Sequence, residues 1–313
     1  FHIVASHSDS PTFKIKDNPE QSVKGKYVQL NTERYGGMIY STWFDRPLSV
    51  AGRVMVKTEK GVQTRLVNID RDLLVIPNLA IHMDRTANDG MKYNPQTNLL
   101  PLFGDAASKD TFDKLVAEAC GVKEEDVIAS DLFLYNRTKP VVWGGHNEYM
   151  SCAKLDDLEC AFSSMKAFIK GGSKESVSVC AIFDNEEVGS STKQGANSTF
   201  MYDVLRRINQ NLGRSEEDYY TAVASSFMLS ADNAHALHPN HPAVTDPTNL
   251  VFLNEGIVIK HNANQKYTTD AVSSALFQSM CREHQVPVQN FVNRSDIAGG
   301  STLGNISNSH VSL

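Results

Sequence analysis

Val177-Ser-Val-Cys-Ala-Ile-Phe-Asp-Asn-Glu-Glu-Val-Gly189 is an apolar, β-branched run that stops on two adjacent carboxylates and a glycine. The run reads as a buried strand, and the glycine marks the turn that ends it. Glu186 and Glu187 are therefore expected to project from a strand end into a crevice. There, one carboxylate can hold a metal ion while its neighbour takes a proton from metal-bound water.

Outward from this run, strand-like and helix-like stretches alternate. Just before it, Leu158, Ala161, Phe162, Met165, Phe168 and Ile169 recur at helical spacing. After it the pattern predicts a helix over residues 199–210, strands over 226–230 and 257–260, and a helix over 270–283. Residues 1–5 read as a further strand. Such alternation predicts an α/β fold: a mostly parallel sheet flanked by helices on both faces. Residues 23–142 have a different texture, with short extended runs at 49–56 and 73–76 broken by glycine, proline and asparagine. The expected organisation is one discontinuous domain, 1–20 with 144–313, interrupted by a β-rich insertion over 21–143. The chain opens inside a strand-like run at Phe1 and reaches Leu313 without a terminating signal, so it reads as part of a longer protein.

Thirty Lys and Arg against 36 Asp and Glu leave a net charge of −6 with no basic block, which argues against a nucleic-acid partner. No apolar stretch approaches the roughly 20 residues of a membrane helix, which argues against a membrane partner. Cys120, Cys152, Cys160, Cys180 and Cys281 are scattered and odd in number. Reduced thiols and a cytoplasmic location are the expectation.

In an open α/β sheet, chemistry collects at the carboxyl ends of the strands. Four such places carry chemistry-bearing side chains: His7-Ser-Asp9, Asp156-Asp157, Glu186-Glu187 and Asp232. Imidazole nitrogen and carboxylate oxygen form the ligand set of zinc or a similar divalent ion. Asp9 is spaced to accept the other ring proton of His7. Each place also has an ordinary reading: His7 as a hydrogen-bonded structural residue, Asp156 and Asp157 as helix caps, Asp232 as a turn residue, and the glutamates as solvated loop charges. The conjunction of all four favours a metal centre.

The runs His7-Ser-Asp-Ser-Pro11, Tyr35-Gly-Gly37, Ser41-Thr-Trp-Phe-Asp-Arg46, Lys154-Leu-Asp-Asp-Leu158, Asp184-Asn-Glu-Glu-Val-Gly-Ser190 and Ser230-Ala-Asp-Asn-Ala-His235 occur in this order along the whole chain. They strongly resemble the aspartyl aminopeptidases, zinc exopeptidases with co-catalytic metals. The resemblance implies a zinc-exopeptidase-like fold with an inserted dimerisation domain. It makes His7 and Asp232 ligands of one zinc ion, Asp156 the bridging carboxylate, Glu187 a ligand of the second zinc ion and Glu186 the general base. It further implies that Lys260, with Tyr267 nearby, reads an acidic substrate side chain, and that His82 serves a neighbouring subunit's site. Short peptides with N-terminal Asp or Glu would be the substrates, and the assembly a homo-oligomer of twelve subunits.

One departure stands out. The family's last ligand of the second zinc, a histidine in a Met-His-Ser-like motif, should follow the stretch Gly299–Gly304, and the chain stops before it. His310 falls at a position away from the metal centre in the family. Two zinc ions are thus expected in the complete protein, with the second site short of its final histidine here and activity correspondingly poor. A dinuclear metal deacylase using the same ligands is one alternative. A non-catalytic assembly or cargo protein on a peptidase fold is another, and it would not need Glu186.

Overall fold

A computed structural model describes residues 1–300 and 303–306, and the chain divides into two compact units, Phe1–Ser10 with Lys154–Leu313, and Pro11–Ala153. These divisions differ from the expected ones at residues 20 and 144. The reason is pairing: the segment after Pro11 joins an antiparallel ladder at once, Thr12 opposite Tyr35, and residues 141–151 pair as a hairpin.

The chain enters with β1 (His2–His7) and then builds the inserted unit. This consists of β2 (Thr12–Val23), β3 (Tyr27–Tyr35), β4 (Leu48–Thr58), β5 (Gly61–Asn68), the single turn α1 (Pro95–Asn98), β6 (Leu102–Asp105), α2 (Phe112–Cys120), β7 (Val127–Asn136), β8 (Val141–Trp143) and β9 (Tyr149–Ser151). Six strands form one antiparallel sheet in the order β5-β4-β7-β2-β3-β6. Val28, Leu30 and Thr32 in β3 are buried while the residues between them are more open, the period-two pattern of a sheet with one face on a core. Phe13, Leu48, Val50, Val54, Leu132 and Leu134 fill that core. The run predicted as a strand at 73–76 forms only isolated bridges, Leu48 to Leu74, Val75 to Leu102 and Phe44 to Ile76, because each of its residues pairs with a different segment. Glu20 caps α2 by accepting the Thr111 and Phe112 N–H groups at 2.9 and 2.7 Å.

The other unit resumes with α3 (Leu155–Lys170), β10 (Ser178–Phe183), α4 (Phe200–Asn211), α5 (Glu216–Ala224), β11 (Phe227–Ser230), β12 (Ile257–His261), α6 (Ala271–Glu283) and β13 (Val288–Val292). Among the described residues every strand pairing here is parallel, in two sheets: β10-β1-β11 and β12-β13. Crossover connections by helix are what parallel neighbours require. β1 is the central strand, and its Ile3 and Ala5 pack with Phe183, Leu205, Tyr219 and Met228. Met201, Leu205 and Asn209 form the buried stripe of α4, at the spacing of one helix face. Ser215 with Asp218 and Asp270 with Ser273 form capping boxes at α5 and α6.

Candidate metal centre

Because β10, β1 and β11 are parallel and adjacent, their carboxyl ends fall at one edge of the sheet. His7 closes β1 opposite Phe183 of β10, and Ala5 stands opposite Ser230 of β11. The residues that follow these strands, Glu186, Glu187 and Asp232, are thereby delivered to the same place, together with the start of α3.

His7 is buried, 2% exposed, with its ring between carboxylates. Nε2 lies 3.4 Å from Asp156 Oδ1 and 4.0 Å from Glu186 Oε2, while Nδ1 lies 3.2 Å from Asp9 Oδ1. Asp9 does more than orient the ring. Its Oδ1 and Oδ2 accept the N–H groups of Glu186 and Glu187, each at 3.1 Å, so one carboxylate fixes both the imidazole and the glutamate turn. That turn, a short 3-10 segment at Glu186–Val188, is flanked by the left-handed residues Asn185 (φ 60°) and Gly189 (φ 96°). Gly189 meets the backbone requirement read from the sequence.

One donor atom each of His7, Asp156, Asp157 and Asp232 lies within 4.8 Å of the others. Asp157 is fully buried: its Oδ2 accepts the His7 N–H at 3.0 Å, and its Oδ1 has no hydrogen-bond partner among the described residues. The helix-cap alternative for the Asp156-Asp157 pair is not what is seen. The start of α3 has no side-chain cap, both aspartates have non-helical dihedrals, and the bond between them is cis. On the other side of the cluster, Lys260 Nζ donates to the Asn233 carbonyl at 2.6 Å, lies 3.6 Å from Asp232 Oδ2 and sits 5.5 Å from the Tyr267 ring centroid.

Electrostatics mark the cluster as short of positive charge. Burial works against a charged His7, but Asp156, Asp9, Asp157 and Glu186 outweigh it and push its pKa up to about 11. Burial pushes Glu186 up to about 7, with Asp232, Asp9 and Asp156 adding to the rise and His7 opposing it. Glu187 also rises to about 7, through burial and then the charges of Asp156 and Glu186. Burial takes Asp157 to about 6 and raises Asp232 against the pull of Lys260. Carboxylates crowded out of water hold their protons unless a cation joins them. A donor set of one imidazole nitrogen and clustered carboxylate oxygens fits a divalent ion such as zinc.

His7, Asp156 and Asp232 thus come together, and Glu187 lines the same open cavity of about 530 Å³ without belonging to the four-group set. Glu186, Lys260 and Tyr267 also line this cavity. His82 lies in an exposed turn of the inserted unit, and His310 lies outside the described residues. Contacts the sequence did not signal are the Cys160 thiol, 3.3 Å from Asn233 Oδ1, and Arg294, which holds Asp296 through Nε and Nη2 at 2.7 and 2.8 Å and donates to the Ala243 carbonyl. A cysteine inside an apolar helical stripe and an arginine in a polar loop carry no local mark of such roles.

A family model described as aminopeptidase I zinc metalloprotease (M18) matches residues 1–313. The probable M18 family aminopeptidase 2 of Clostridium acetobutylicum is 48% identical over 319 residues, covering 100% of this chain and 74% of that protein. Aspartyl aminopeptidase 1 of Schizosaccharomyces pombe is 39% identical over 97% of this chain and 70% of its own length. Among solved structures, a chain from the complex of Ape4 and Nbr1 superposes with a TM-score of 0.93 at 38% identity, over 98% of this chain and 64% of that one. The mApe1 dodecamer of Saccharomyces cerevisiae superposes with a TM-score of 0.77 at 26% identity, over 98% of this chain and 69% of that one. With the family model matched along its whole length and its carboxylate cluster built at the strand ends, the chain belongs to the M18 family of zinc metalloprotease aminopeptidases.

Proposed function

We propose that this chain removes N-terminal Asp or Glu from short peptides, with Glu186 as the general base. The observation that carries this reading is the position of Glu186: held by Asp9 through its backbone, 4.0 Å from His7 Nε2, in a cavity it shares with Lys260. His7, Asp156 and Asp232 would hold one zinc ion. Asp156 would be shared with a second ion, for which Glu187 supplies part of the ligand set among the described residues. Zinc, when bound, lowers the pKa of water and polarises a peptide carbonyl.

The chain's own residues do the rest. Glu186 accepts the proton of the attacking water and returns it to the leaving amine. Asp9 keeps the His7 ring and the Glu186–Glu187 turn in register. Lys260 places a fixed positive charge in the cavity wall, braced over Tyr267. An ammonium has three donors, so the one given to Asn233 leaves others for a substrate carboxylate. His82 would act in a neighbouring subunit's site, with the inserted unit as the dimerisation domain of a twelve-subunit particle. The dodecamer among structurally similar proteins supports that assembly. No helix of the described residues is long and apolar enough to cross a membrane, and the reduced thiols suit the cytoplasm.

The test compares Asp-, Glu- and Leu-leading peptides on the complete protein, with zinc content measured alongside. Lys260→Met is expected to raise KM for Asp- and Glu-leading peptides by about 10-fold or more, the cost of removing a charged hydrogen bond. The Leu-leading peptide should change little. Equal losses on all three would remove Lys260 from substrate recognition.

A further inference from the structure

We infer that Asp157 and Cys160 are positioning residues, a buried brace that ties together the three segments that carry His7, Asp156 and Asp232. This rests on the metal-centre reading above and assigns two residues that neither ligate nor touch substrate in it.

The geometry runs through all three segments. Asp157 stands at the head of α3, next to Asp156, but does not line the cavity. It is fully buried, whereas the Asp156 side chain is 57% exposed. Its Oδ2 takes the His7 N–H at 3.0 Å, which joins the start of α3 to the end of β1. Cys160, one turn further along α3, donates its thiol to Asn233 Oδ1 at 3.3 Å and interacts with the Asp157 carboxylate. Asn233 adjoins Asp232 in the loop after β11, and its carbonyl receives Lys260 from β12. A push on the thiol or on this carboxylate is therefore transmitted to His7, Asp156 and Asp232 together. Partners of this kind orient the ligands that touch the ion, and their loss weakens metal binding by about 10- to 100-fold.

The role predicts a pattern of substitution that a direct ligand would not show. Asparagine keeps an oxygen for the His7 N–H, and serine keeps a hydroxyl donor near Asn233. The experiment measures zinc affinity of the full chain and its Asp157→Ala, Asp157→Asn, Cys160→Ala and Cys160→Ser variants by competition with a chromophoric chelator. The absorption bands of bound Co(II) report ligand geometry. Both alanine variants should lose about 10- to 100-fold in affinity with altered Co(II) bands, while the asparagine and serine variants keep the affinity and bands of the unsubstituted chain. Circular dichroism of the zinc-free forms identifies any variant that fails to fold, and the small Cys160→Ala change remains informative if Asp157→Ala does. Alanine variants indistinguishable from the unsubstituted chain would overturn the brace. Asp157→Asn falling as far as Asp157→Ala would overturn it too, by making Asp157 a ligand. Failure of the unsubstituted chain to bind zinc is a separate result, and it would overturn the metal-centre reading itself together with the brace.

Discussion

In the inserted unit Asp131 lies 2.8 Å from Lys14 Nζ and 2.9 Å from Arg53 Nη2, and Arg137 holds Asp70 and Asp72 at 2.6 and 2.7 Å. In the other unit Asp9, Asp156, Asp157, Glu186 and Asp232 gather around His7 and Lys260. The consequences have opposite signs. Hydrogen bonds from Lys14 and Arg53 hold the Asp131 carboxyl below its usual range, whereas burial drives Glu186 and Glu187 up to about 7. The first unit supplies the counter-charges it needs, and the second is shaped around positive charge it does not supply. The difference separates a scaffold from a site.

Breaking the site chemically should have the largest effect. Glu186→Gln is expected to lower turnover by about 100- to 10,000-fold while zinc content stays unchanged, as measured by steady-state kinetics and metal analysis on the same sample. Unchanged peptidase activity would remove Glu186 from the base role.

Breaking the scaffold should be felt elsewhere. Leu48, fully buried in the β-sheet core, should cost about 2–5 kcal/mol on substitution to alanine, read from denaturant unfolding of the inserted unit's signals. Zinc affinity should not change. A parallel loss of zinc binding would show that the units are not independent in the way their charge distribution suggests.

The subtlest test is pH. For Glu186 and Glu187 the folded value of about 7 stands above the ordinary 4.5, so between these values the unfolded chain has released protons that the folded chain retains. Zinc-free stability of this unit should therefore fall as pH rises through that window. His7 acts in the same direction higher up: its contribution is full below 6.5 and is lost as pH rises toward about 11. Asp131 acts in reverse, stabilising above its unfolded value of 3.8 and losing that contribution as pH falls. Hydrogen exchange corrected for intrinsic rates should show the two slopes separately in the two units. Saturating zinc should flatten the first and leave the second.

Much of this was legible in the residues. The stripe Met201, Leu205 and Asn209 lies inside the predicted helix at 199–210, and the apolar run before Glu186 became β10. The helix α5 leaves no mark in the sequence because its nine residues bury only Tyr219 and open on Glu216, Glu217 and Asp218, so no apolar period rises above its charge. β13 is short and half-buried, with no alternation to mark it. At the site, His7, Glu186 and Asp232 were visible as strand-end residues. Asp157 was ambiguous, since an aspartate before a helix ordinarily reads as a cap, and its real partner is the His7 N–H, 150 positions away. Cys160 and Asn233 are 73 positions apart, and neither segment signals the other.

The sequence by itself determined which donors are available and which elements carry them, because periodicity, turn glycines and strand-end carboxylates are local properties of the chain. It also determined the family, through runs spread along the full length. Only the tertiary structure decided which donors meet. Parallel pairing of β10, β1 and β11 sets their carboxyl ends side by side, so that burial and mutual repulsion, acting between residues far apart in the chain, turn separate acids into one cluster with a cation's place in it.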